Sequence, residues 1–153
     1  MGILRSDHVY SVAETLLNTA AEALVESYGG VPDRRLVVMS NPVHEVPDQL
    51  TVHLEMVMPN LNNVVGTFQY AYDGRFVITV TRAYPVQPGD GGVVREDFIT
   101  EASLITYEDV NRILTRLTCE DPMNLVVDQV QSLDPLGGVA GWQFYVRVPL
   151  TAF

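Results

Sequence analysis

A chain of 153 residues, 47% apolar and 18% charged, has the composition of one folded domain with a sizeable core and is too apolar to be disordered. Nine arginines, no lysine and nineteen acids leave a net charge of −10, which argues against general binding to nucleic acid or to anionic membranes. The lone cysteine, Cys119, excludes an internal disulfide and points to a reducing compartment. No stretch reads as a signal peptide or reaches the ~20 apolar residues of a membrane span, so the expected location is the cytoplasm where the chain is made.

Taken in order, Ser6-Asp7 is an N-cap pair for a helix running to about Tyr28. Val9, Val12, Ala13, Leu16, Leu17, Ala20, Leu24 and Val25 recur at helical spacing, with Glu14, Asn18, Glu22 and Glu26 opposite. Gly29-Gly30 stops this helix and Pro32 keeps it stopped. Leu36 to Ser40 reads as a short strand, followed by a proline-punctuated loop. Gln49 to Met58 is an alternating strand, with Leu50, Val52, Leu54, Met56 and Met58 on one side and Thr51, His53 and Glu55 on the other. Pro59-Asn60 should end it, leaving 61–66 as loop.

Thr67 to Tyr72 and Arg75 to Tyr84 are expected to pair as a hairpin around Asp73-Gly74, a two-residue turn signature. Phe76, Ile78 and Val80 form its buried side. Pro85 to Asp97 has no periodicity and is long for a compact domain, as functional loops are; Pro88, Asp90 and Arg95 are its candidate contacts with neighbouring subunits. Phe98 to Leu104 fits neither template. Thr106 is the expected cap of a second helix, with Glu108 and Asp109 in its first turn, Val110, Ile113, Leu114 and Leu117 as its buried stripe, and Asp121-Pro122 as its end.

Leu125 to Gln131 is a further strand, and Asp134-Pro135-Leu136-Gly137-Gly138 is a turn. From Trp142 the chain alternates again. Trp142, Phe144, Val146, Val148 and Leu150 point one way, and Gln143, Tyr145, Arg147 and Pro149 the other. The expected fold is α+β: a mixed or largely antiparallel sheet with two helices packed on one face, plus the long loop, in a single domain spanning residues 1–153.

No chemistry-bearing motif stands out. His8, His44 and His53 are widely spaced, there is no HExxH, CxxC or calcium-loop pattern, and no metal site or cofactor is expected. His53 and Glu55 share a strand side, but two ligands are too few. GxSxG, Walker A and GxGxxG are missing. Gly137-Gly138 and Gly141 lead into a strand, without the helix N-terminus that holds a phosphate.

The order of elements resembles that of tail terminator proteins, head-to-tail connectors of long-tailed phages infecting actinobacteria. The likeness rests on the Gly-Gly-terminated first helix, Pro32-Asp33-Arg34-Arg35, the strand led by Pro47, and two segments, Val80 to Val86 (VTRAYPV) and Asp134 to Trp142 (DPLGGVAGW). It implies a virion structural protein assembled in the host cytoplasm: a hexameric ring at the head-proximal end of the tail tube, without a catalytic site. Such a ring ends tail polymerisation and joins the tail tube protein to the neck proteins, and DNA passes through its lumen without specific binding.

A cyclic ring needs two different complementary surfaces on each subunit. The candidate interface residues are Arg75, Arg82, Tyr145, Arg147, His53 and Glu55, together with Glu22 and Glu26 on the acidic helix. A stopper ring of the same neck is the nearest rival, and a small α+β enzyme or ligand-binding domain is the distant one. The last requires a pocket that gathers groups such as His53, Glu55 and Cys119.

Overall fold

The computed structural model describes residues 5–39, 48–65, 69–83, 96–119, 124–136 and 138–151. Helix α1 (Ser6–Ala23) leads to strands β1 (Arg34–Val37), β2 (Gln49–Val65) and β3 (Gln69–Ala83), helix α2 (Glu96–Cys119), then β4 (Val126–Leu136) and β5 (Val139–Thr151). The five strands form one sheet in the order β1-β2-β3-β5-β4, with β1 parallel to β2 and every other pair antiparallel. Both helices pack on the same face, so the fold is the α+β arrangement that the element pattern implies.

The core lies between helices and sheet. Leu16, Ala20 and Leu24 of α1 and Ile113 and Leu117 of α2 are buried in one cluster with Leu50, Val52, Ile78, Val80, Phe144 and Val146 of the sheet. Along β5, Phe144, Val146, Val148 and Leu150 are all buried, as their period of two requires; each contributes roughly 1.5–3 kcal/mol.

Four expectations need correction. First, Asp73-Gly74 is no turn. β3 runs straight through it, and Gly74 pairs with Val57 on one side and Val148 on the other. Glycine is there for close approach: a Cβ would come within 2.7 Å of Leu150 Cδ1 and 2.8 Å of Phe76 Cε2. Second, β2 does not end at Pro59-Asn60 but extends to Val65, with Pro59 opposite Tyr72. Among the described residues β1 pairs with β2 only over Gln49–Val52, so Pro59 lies on a stretch of β2 at the sheet edge, the setting in which strands accommodate proline.

Third, α2 begins at Glu96, ten residues before the expected cap. Thr106 lies within it and donates its hydroxyl hydrogen to Ser103 O at 3.0 Å. Fourth, β4 continues through Asp134-Pro135 to Leu136, and the reversal into β5 falls next to Gly138, at φ +81°. Smaller shifts occur elsewhere. α1 gives way after Ala23 to tight i→i+3 turns ending at Gly30, and β1 lies two residues earlier than the expected 36–40. A bulge at Glu55 brings Met56 opposite Arg75, turning it away from the core face that Leu50, Val52 and Leu54 share. The segment 84–95, most of the expected long loop, lies outside the described residues.

Candidate functional site

The sheet face away from the helices carries most of the candidate residues. Register places them in rows across β2, β3, β5 and β4: Thr51, Thr79, Gln143, Gln131; then His53, Val77, Tyr145, Gln129; then Met56, Arg75, Arg147, Val126. The face is therefore polar over three strands, where the opposite face is almost wholly apolar.

Its contacts run across the strands. Arg75 lies with its guanidinium 4.9 Å from the Tyr145 ring centroid and its Nε 3.3 Å from Glu55 Oε2. Tyr145 donates its hydroxyl to Gln143 Oε1 at 3.1 Å, and Gln143 Nε2 lies 3.4 Å from Thr79 Oγ1. Arg147 Nε donates to Asp128 Oδ1 at 2.9 Å. The Met56, Arg75, Arg147 and Val126 end of the face is open, whereas Thr51, His53, Val77 and Thr79 are buried. Thr51 Oγ1 and His53 Nδ1 are buried and have no hydrogen-bond partner among the described residues. Burial pushes His53 below its ordinary value of 6.5, and the Glu55 charge opposes this only in part. His53 is accordingly neutral near pH 7 and fixed beneath the surface.

Arg75, Tyr145, Arg147, His53 and Glu55 are thus brought together on one face. Arg82 is not. It lies on β3 with its side chain turned to the helices, 4% exposed, against Asp109 at 0%. Its Nε and Nη2 donate to the two Asp109 oxygens at 2.8 and 3.0 Å. Nη1 reaches Gly29 O and Asp48 Oδ1 at 3.2 and 3.4 Å, and Nη2 also donates to Gly30 O at 2.5 Å. Ser27 Oγ adds a further bond to Asp109 Oδ1 at 2.8 Å. Burial alone would lower the Arg82 pKa, but the hydrogen bonds and charge of Asp109, aided by Asp48, raise it above its ordinary value. The arginine is committed inside the subunit, where it ties β3, α2, the turn after α1 and the start of β2.

Glu22 and Glu26 lie on the helix side, far from that cluster. Glu22 meets Arg116 at 2.8 Å, and Glu26 approaches Arg112 at 3.7 Å. They line a groove of about 630 Å³ between α1 and α2 that also includes Cys119. Cys119 and the pair His53 and Glu55 are therefore on opposite faces of the sheet and form no common pocket. Among the described residues, no group of three or more His, Cys, Asp or Glu could hold a metal ion. No helix among them is long and apolar enough to cross a membrane. Pro88, Asp90 and Arg95 lie outside the described residues.

The sequence reading missed Asp109, Asp128 and Gln143. Signals existed for the first. Asp109 falls on the buried stripe of α2 between Ala102 and Ile113, and Arg82 continues the buried alternation of Phe76, Ile78 and Val80. Two opposite charges, each on an apolar stripe, mark a buried pair. Neither a scan of protein-family models nor a search of curated proteins returns a match to this chain.

Proposed function

We propose that this protein is a virion structural subunit that forms a ring at the head-proximal end of a phage tail tube. The ring ends tail polymerisation and joins the tube to the neck. The observation that carries this reading is the half-exposed Glu55–Arg75–Tyr145 stack beside Arg147. A planar guanidinium held over an aromatic ring, with both groups already ordered, is the kind of anchor that protein interfaces concentrate their energy in. A neighbour's surface reaching this stack meets side chains that lose little further freedom on contact. The resemblance in element order supplies the biological setting, a hexamer between tail tube protein and neck proteins. With each copy at −10, such a ring is strongly acidic as a whole, and an acidic lumen would repel phosphate and let DNA pass without sticking.

Native mass spectrometry and negative-stain imaging, with and without purified tail tubes, test this reading. Wild-type protein should form a closed ring, alone or on tube ends. Arg75→Glu and Arg147→Glu should each abolish the ring while leaving the circular dichroism spectrum unchanged. Rings that persist in both variants remove this face from the interface. A chain that never assembles, with or without tubes, overturns the reading.

A further inference from the structure

The two open edges of the sheet are built differently. β1 is only four residues long and carries Arg34 and Arg35, both exposed. The other described arginines each have an ion-pair partner, but these two have none among the described residues. Brevity and unneutralised charge are the usual guards against strand addition. β4, at the opposite edge, has neither guard over 126–133. It is long and contains no proline and no basic residue there, and its one acid, Asp128, is neutralised by Arg147 at 2.9 Å. Val126, Asp128, Gln129, Gln131 and Ser132 are exposed, and among the described residues β4 pairs only with β5.

We propose that the open edge of β4 pairs antiparallel with β4 of a second copy, about a twofold axis near Val130. Charge selects this occupant. Two chains at −10 repel, so self-contact must fall where the surface is locally neutral, and the Asp128–Arg147 strip is such a place. A twofold contact also requires a self-complementary segment. With Val130 opposite its own counterpart, Gln129 stands opposite Gln131 of the second copy, on the same face. The two glutamines already bond to each other within one chain, Gln129 Nε2 to Gln131 Oε1 at 2.9 Å, so pairing joins four amides into one ladder. Asp128 never faces Asp128. Across a β1–β1 contact, by contrast, unpaired arginines would crowd together. The contact satisfies backbone groups that would otherwise template disordered aggregation, and it does not rest on the ring reading.

Sedimentation and native mass spectrometry across a concentration series test the pairing. Wild type should give a species of twice the chain mass. Gln129→Lys with Gln131→Lys sets like charges opposite one another and should weaken the pair more than about tenfold. Gln129→Glu with Gln131→Glu should do the same, and mixing the two variants should restore a pair. Hydrogen exchange should show that, within 129–133, the amides pointing away from β5 are protected only in the paired species, while those bonded to β5 are protected in both. A wild type that stays at chain mass, or an assembly that neither variant loosens, overturns the proposal. A six-fold ring untouched by both variants sinks the pairing and leaves the ring reading standing. A pair that dissolves as described, with nothing larger ever formed, does the reverse.

Discussion

Arg82 and Arg75 belong to one strand and face opposite sides of the sheet, and the contrast between them separates what holds the fold from what the fold displays. Arg82 is buried with its donors met by Asp109, Asp48 and two backbone carbonyls. Arg75 is 28% exposed, stacked on Tyr145 and beside Glu55, but with its Nε too poorly aligned to count as hydrogen-bonded. A saturated buried arginine has nothing left to offer a neighbour. A partly met surface one has.

The largest expected effect breaks that contrast at Arg82. Arg82→Met leaves Asp109 as an uncompensated buried charge, and should lower the unfolding free energy by ~3–5 kcal/mol in urea titrations. Adding Asp109→Leu should recover most of the loss, since an apolar pair of similar volume removes the orphaned charge. If the double variant is as weak as the single, the carbonyls of Gly29 and Gly30 are the groups that need Arg82.

Next, Arg75→Ala and Tyr145→Leu should each cost the isolated subunit no more than ~1 kcal/mol, because a half-exposed ion pair and cation–π contact are worth little in water. A loss at Arg75 equal to that at Arg82 would erase the distinction.

The smallest effect sharpens it at His53. The folded chain holds this imidazole below its ordinary 6.5, so in that range the unfolded chain binds more protons there. Its stabilising contribution is therefore complete above the ordinary value and is lost as the pH falls toward the folded one. The melting-temperature difference between wild type and His53→Gln should accordingly shift against wild type on acidification from about pH 7. A difference that stays constant with pH would show that His53 does not titrate differently on folding.

The parts of the fold legible in the sequence were those where one face is buried and the period is clean. Phe144 to Leu150 is the clearest case, and the stripe of α1 is another. Asp73-Gly74 misled because a local turn signature says nothing of the bulky Leu150 and Phe76 that need the space above Gly74. The first half of α2 was hidden by its exposed apolar residues, Phe98 and Leu104, which blur the stripe. For the candidate site, alternation alone grouped Tyr145 with Arg147 and His53 with Glu55. Bringing the two pairs together took the strand order, since β3 stands between β2 and β5 and no local pattern encodes which strands become neighbours.

The knot of bonds around Arg82 also has a consequence in time. Its carboxylate comes 27 residues later in the chain than the arginine, and the hydroxyl that shares that carboxylate comes 82 residues before it. During synthesis the cation thus emerges first, and no compact state of the shorter nascent chain can bury it with Asp109. Closure of this interior must wait until α2 has arrived, so the turn after α1 and β3 cannot reach their native packing around Arg82 before that helix is made.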